Sequence, residues 1–125
     1  EGISMKFRLT KSREMILNLL NNKQKPLNAE MIYELLDEKI YLSTVYRNLE
    51  LFLENNLVSR LFINNTAYYY INKTDHKHFM VCLGCHDMFE IPCSHFDEGL
   101  LGDHQDFKIS SHELTVYGYC SSCQL

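Results

Sequence analysis

Apolar residues recur at helical spacing through the first part of the chain. Over residues 10–21, Met15, Ile16, Leu19 and Leu20 share one face of a 3.6-residue period, which predicts a helix capped by Thr10 with Glu14 in its first turn. Asn21-Asn22-Lys23 predicts its end. Beyond Pro26, Asn28 is placed to cap a second helix in which Met31, Ile32, Leu35 and Leu36 repeat. A third helix is predicted from Ser43 or Thr44 to about Asn55. It turns Val45, Leu49, Phe52 and Leu53 inward and leaves Thr44, Tyr46, Arg47, Asn48 and Glu50 facing elsewhere. The period then shortens: Leu57 to Ile63 and Thr66 to Ile71 predict two strands around Asn64-Asn65, a dipeptide that tolerates the positive φ of a tight hairpin. Three short helices and a hairpin describe a winged helix-turn-helix, which offers its third helix to a DNA major groove.

The pattern after residue 72 is different. Phe79-Met80-Val81 and Met88 to Ile91 predict strands, the second stopped by Pro92. Ser94 to Asp103 predicts a short amphipathic helix with Phe96, Leu100 and Leu101 inward, and Phe107 to Ile109 and Leu114 to Tyr117 predict further strands. At roughly fifty residues such an α+β unit has a marginal core of its own, so a metal staple or a partner subunit is expected.

Charge sharpens this division. The 125 residues carry a net charge of −4 and a 46% hydrophobic, 22% charged composition, which suits a globular protein rather than a polycation that coats nucleic acid. Residues 1–72 hold nine Lys/Arg against eight Asp/Glu, so +1; residues 73–125 hold three against eight, so −5. All six histidines and all five cysteines follow residue 72. Apolar runs fall well short of the roughly 18 residues a membrane span requires, so no membrane partner and a cytoplasmic location are expected. Glu1-Gly2-Ile3-Ser4 precede a methionine and are set aside.

The strongest chemical signal is Cys82-Leu83-Gly84-Cys85, answered after 34 residues by Cys120-Ser121-Ser122-Cys123. Two such knuckles can aim four thiolates at one point about 2.3 Å from each sulfur, the geometry of tetrahedral zinc. Disulfides would suit a secreted chain, but no apolar signal segment heads this one. A thioredoxin-like pair should open a helix after a strand, whereas the second pair here lies at the chain's end. A structural Zn2+ held by Cys82, Cys85, Cys120 and Cys123 is expected.

The third helix begins with hydroxyls, a phenol and a guanidinium together. Ser43 and Thr44 can take phosphate with the free N–H groups of the helix start, Arg47 can reach phosphate or a guanine edge, and Tyr46 a thymine methyl or a phosphate. An ordinary surface helix carrying a half-buried tyrosine would read the same way.

Several runs now resemble one family. Leu9-Thr10-x-x-Arg13, Ala29-Glu30-x-Ile32-Tyr33 and Ser43-Thr44-Val45-Tyr46-Arg47-Asn48-Leu49 are similar to the ferric uptake regulator family. So are His76-x-His78-x-x-x-Cys82-x-x-Cys85 and His112-x-Leu114-x-x-Tyr117-Gly118-x-Cys120-x-x-Cys123, and the likeness spans residues 7–124 in order. It implies a dimeric, metal-responsive transcription factor: a winged helix over 5–72 that reads an A/T-rich palindrome in double-stranded DNA, and a small α/β dimerisation domain over 73–125. By that resemblance Tyr46 contacts bases and Arg47 grips phosphate. Arg8 enters the minor groove, where narrow A/T tracts attract cations, and Arg13 belongs to the same surface.

A permanent staple cannot report metal supply, so sensing requires a second, weaker site. Histidines two apart on a strand share a face, which lets His76 and His78 hold one ion, Zn2+ or Fe2+. The resemblance adds His112 and a carboxylate nearest Asp97, with Glu98 beside it. The family's other regulatory site, at the hinge between domains, loses its ligands here: the matching positions are Pro26, Tyr70, Lys77 and Phe79, and only Glu90 keeps a ligand type. Lys77 would set a positive charge where a cation belongs. Cys93 is left over, readable as a small buried residue, a redox-sensitive thiol or a soft ligand that tilts the site to zinc.

The resulting expectation is a homodimeric repressor of metal-homeostasis genes, with zinc preferred to iron as the sensed metal and an iron- or peroxide-responsive member of the same family as the alternative. Two other classes fit less well. A zinc hydrolase needs a general base near His76 and His78, and the chain has no His-Glu-x-x-His helix. A zinc-stapled protein-interaction module would carry the same knuckles without binding DNA.

Overall fold

A computed structural model describes residues 7–23, 25–72, 77–93, 98–102 and 106–124. The chain divides into two compact units, Glu1–Lys73 and Thr74–Leu125. The first holds helix α1 (Lys11–Lys23), the two-residue strand β1 (Leu27–Asn28), helices α2 (Ala29–Leu35) and α3 (Leu42–Glu54), and strands β2 (Val58–Ile63) and β3 (Thr66–Ile71). The second holds β4 (Lys77–Cys82), β5 (Met88–Pro92), a 3-10 turn at Glu98–Leu101 and β6 (Thr115–Gly118).

Local chemistry sets the boundaries in the first unit. The N–H of Arg13 reaches Thr10 Oγ1 at 3.3 Å, and Asn28 Oδ1 accepts from the N–H of Met31 at 2.8 Å, so both expected caps form. Both α2 and α3 end in Schellman turns. After α3, Asn56 adopts φ 61°, and the N–H of Leu57 reaches the carbonyl of Phe52 at 2.9 Å. Asn64 and Asn65 take φ 48° and 71°, the positive pair a two-residue hairpin demands, and this pins β2 to β3 with Ile63 opposite Thr66.

The core gathers Ile16, Leu20, Leu27, Ala29, Ile32, Val45, Leu49, Phe52, Val58 and Tyr69. Its members come from all three helices and from the hairpin, the arrangement of a winged helix-turn-helix. Here the structure departs from the periodicity in two places. Met31 and Leu35 are 37% and 45% exposed, because α2 has only seven residues and buries Ala29 and Ile32 instead. Asn48, expected to face outward, is buried at 4% exposure and is held by Arg13. Strand β1 carried no sequence signal; it exists because Leu27 and Asn28 add to the edge of β3 opposite Tyr69 and Tyr68.

In the second unit the sheet order is β5-β4-β6, with β5 antiparallel and β6 parallel to β4. Residues 107–109 form no strand, contrary to expectation, whereas the strand expected over 114–117 forms as β6 and pairs with β4. Of the helix expected over residues 94–103, the described part is the 3-10 turn. No helix among the described residues is long and apolar enough to cross a membrane.

Candidate metal centres and nucleic-acid interface

The register of β4 with β6 explains how distant cysteines meet. Cys82 ends β4 opposite Gly118 near the end of β6, and the N–H of Leu83 continues the ladder to the carbonyl of Gly118 at 2.8 Å. Parallel strands leave the sheet at the same end, so the two knuckles emerge side by side. The first is closed by the N–H of His86 on the Cys82 carbonyl at 2.8 Å, with His86 at φ 65°; the second by the N–H of Cys123 on the Cys120 carbonyl at 2.9 Å.

The four sulfurs of Cys82, Cys85, Cys120 and Cys123 lie within 4.8 Å of one another, and those of Cys85 and Cys120 are 3.9 Å apart. A zinc ion with bonds of about 2.3 Å sets tetrahedral edges of about 3.8 Å, so this donor set fits it. Backbone donors add to the fit. The N–H of Cys120 points at Cys82 Sγ from 3.3 Å and that of Cys85 from 3.5 Å, and together they pull the Cys82 thiol down to about 6. Cys123 is pushed up to about 12, first by its hydrogen bond with the Cys82 sulfur and then by the Cys120 sulfur. One thiolate thus holds a proton-bearing neighbour in place, ready for exchange with a metal.

A second cluster occupies the other end of β4. His78 is 4% exposed, and its Nε2 stands 3.0 Å from Nε2 of His112, with the ring centroids 4.9 Å apart. Cys93 directly follows β5, where His78 pairs with Ile91, and its Sγ lies 3.3 Å from His112 Nε2. His112 arrives from the segment ahead of β6, whose Thr115 pairs with Phe79. Three strand ends therefore bring His78, Cys93 and His112 within ligand distance. His76 and Asp97 lie outside the described residues, as does the side chain of Glu98. The family resemblance places His112 in one site with His78, and the sequence offers Cys93 as a soft ligand there among other roles; the structure brings these three together.

Lys77 lies beside this cluster, at 9% exposure. Its Nζ stands 3.8 Å from Glu90 Oε1 and 5.8 Å from the centre of the Phe79 ring. The one hinge-site ligand type left in the chain thus faces an ammonium group. Between the two clusters, Met80 faces Phe89 on one side and Val116 on the other, and all three are 41–45% exposed.

In the first unit the surface of α3 presents Ser43, Tyr46 and Arg47 to solvent, with Thr44 half-buried and 3.5 Å from the Arg47 guanidinium. Arg8 is exposed. Arg13 is not on this surface in the same sense. Its Nε donates to Asn48 Oδ1 at 3.1 Å, its other nitrogen to the carbonyl of Arg8 at 2.6 Å, and its guanidinium lies 5.3 Å from the Phe7 ring centre. Arg13 therefore ties the segment carrying Arg8 to α3.

Comparison with known proteins agrees with this anatomy. The model of the ferric uptake regulator family matches residues 4–117. The ferric uptake regulation protein of Bacillus subtilis (strain 168) is 36% identical, over 96% of this chain and 87% of its own. The peroxide operon regulator of the same organism is 31% identical, over 93% and 83%. Among solved structures, the iron-bound ferric uptake regulator from Francisella tularensis superposes with a TM-score of 0.80, covers 98% of both chains and is 24% identical, which speaks to the fold. Members of the family bind DNA and form dimers. The chain belongs to the ferric uptake regulator family, and it is a metal-responsive transcriptional regulator rather than an enzyme.

Proposed function

We propose that this regulator is a zinc-responsive repressor of metal-uptake genes, acting in the cytoplasm as a homodimer on an A/T-rich palindrome. The observation that carries the reading is the 3.0 Å approach of His78 and His112 at the opposite end of β4 from the four-cysteine cluster. His78 and Cys82 are four residue steps apart along the strand, about 13 Å, so an exchangeable ion at the histidines is physically distinct from a permanent zinc staple. His76 and Asp97, or Glu98, complete the regulatory set in this reading.

The first unit supplies the DNA contacts. Tyr46 meets base edges, Arg47, Ser43 and Thr44 meet phosphate, and Arg8 follows the minor groove. Arg13 keeps its place in the interface by holding Arg8 rather than by touching DNA. The second unit supplies dimerisation, and the exposed row of Phe89, Met80 and Val116 is an apolar face suited to a second copy of the chain. A dimer then sets two α3 helices about 34–36 Å apart, one turn of the duplex.

Iron is the competing reading, since the Bacillus relative at 36% identity is a ferric uptake regulation protein. Against the hinge mechanism stands the 3.8 Å pairing of Lys77 with Glu90, which sets an ammonium group against the one hinge-site ligand type the chain keeps. Duplex binding measured with added zinc, iron(II) or neither tests both. Zinc should restore binding to chelator-treated protein, and His112→Ala should lose that response while keeping the dimer and one zinc per subunit. A response to iron(II) alone, or one retained in His112→Ala, overturns the reading.

A further inference from the structure

We infer that Cys93 is itself a ligand of the regulatory ion, which makes that site a mixed sulfur and imidazole centre selective for zinc over iron(II) and manganese(II). The inference rests on the reading above that His78 and His112 bind the exchangeable metal, and it adds the ligand that decides which metal.

The geometry is that of a ligand set. With bonds of about 2.0–2.1 Å to nitrogen and about 2.3 Å to sulfur, tetrahedral zinc has edges of about 3.3 Å between nitrogens and about 3.6 Å between nitrogen and sulfur. The corresponding separations are 3.0 Å from His78 Nε2 to His112 Nε2 and 3.3 Å from His112 Nε2 to Cys93 Sγ. Each is a few tenths of an ångström under the edge, an expansion that side-chain rotation supplies. The three donors come from three different parts of the sheet, β4, the end of β5 and the approach to β6, so no local turn forces them together.

A packing role for Cys93 would not require its sulfur to meet an imidazole nitrogen. A nucleophile activated by His112 would explain one contact, but gives no role to the second imidazole, whose Nε2 stands 3.0 Å from the same atom. One ion accounts for all three. His78 is almost fully buried while Cys93 and His112 are half-buried, which leaves an ion a route in beside a rigid base.

Thiolate is a soft ligand and favours zinc, whereas iron(II) and manganese(II) gain more from oxygen donors. A site of three imidazoles and a carboxylate discriminates little between zinc and iron(II). Replacing or supplementing the carboxylate with Cys93 turns the same scaffold into a zinc discriminator.

The test uses the full chain with its staple zinc in place and the second site emptied by a mild chelator. Cobalt(II) is titrated in while zinc content is followed, to show that the staple stays at one zinc per subunit. Wild type should take up one further ion and show a near-ultraviolet thiolate-to-cobalt charge-transfer band with the visible bands of tetrahedral cobalt. In Cys93→Ser and in Cys93→Ala the charge-transfer band should vanish while cobalt still binds through the histidines. Zinc affinity at this site should fall by at least the roughly 10–100-fold that loss of even an outer-shell partner costs, with manganese affinity little changed. Cobalt binding in wild type without the charge-transfer band, or a band that survives both substitutions, overturns the role of Cys93 and leaves the histidine site standing. No uptake of cobalt by wild type, or uptake unchanged by His78→Ala, overturns the regulatory site itself.

Discussion

A methyl group on Gly84 would lie 2.8 Å from Sγ of Cys123 and 2.9 Å from its Cβ. No side chain fits between the first knuckle and the second, so the glycine is what lets the two pairs close on one ion. Gly84→Ala must push Cys123 off its position. Overpacking of this kind costs about 1–3 kcal/mol, so zinc should pass to a competing chelator roughly tenfold faster than from wild type. Gly118→Ala is the control, since nothing stands within 4 Å of its added carbon. Equal release rates for the two variants would mean that the knuckles have slack.

The low value of Cys82 makes zinc loading pH-dependent in a specific way. Above about 6 its sulfur is already a thiolate in the metal-free protein, held by the N–H groups of Cys120 and Cys85. Zinc uptake at pH 7.5 should therefore release fewer than four protons per staple, and the number should rise as the pH drops below about 6. The folded value is depressed, so the metal-free unit gains stability from this group above the unfolded thiol range and loses it as pH falls through about 6. Calorimetric zinc titrations in buffers of different ionisation enthalpy give the proton count directly.

Arg47 and Arg13 should separate in a salt titration. Arg47→Ala removes a phosphate contact, so the slope of log affinity against log salt should fall by about one. Arg13→Ala strips a donor from buried Asn48 and releases the Arg8 carbonyl. It should lower stability of the folded protein by about 1–3 kcal/mol, visible in urea unfolding, and weaken DNA binding through misplacement of Arg8. Unchanged stability with a reduced slope would return Arg13 to the DNA surface.

Alkaline sensitivity should trace to Tyr69. Burial raises its phenol above the ordinary range; a hydrogen bond with Arg60 opposes this and the charge of Glu50 adds to it. A raised folded value favours the neutral phenol, so its contribution is fully present below about pH 10. That contribution is lost as pH climbs through the folded value. Urea midpoints across the alkaline range should fall more steeply for wild type than for Tyr69→Phe, and parallel curves would exclude Tyr69 as the cause.

Much of this regulator was legible in one dimension because local chemistry decided it. Asn28, Asn64-Asn65 and the four knuckle cysteines act through neighbours a few residues away, or through a spacing that suits a metal, and they stand as their pattern implies. The three helices and the hairpin followed from periodicity for the same reason. Tertiary structure alone decided what depends on partners distant in sequence. Strand β1 exists only because β3 offers an edge, and buried Asn48 finds its partner in Arg13, 35 residues away. The stretch from 107 to 109 has strand composition but forms no ladder, and the sheet order β5-β4-β6 does not include it. Cys93 shows the limit most plainly: a single thiol has no periodicity and no spacing partner. Only the antiparallel register of β5 on β4 carries it to His112.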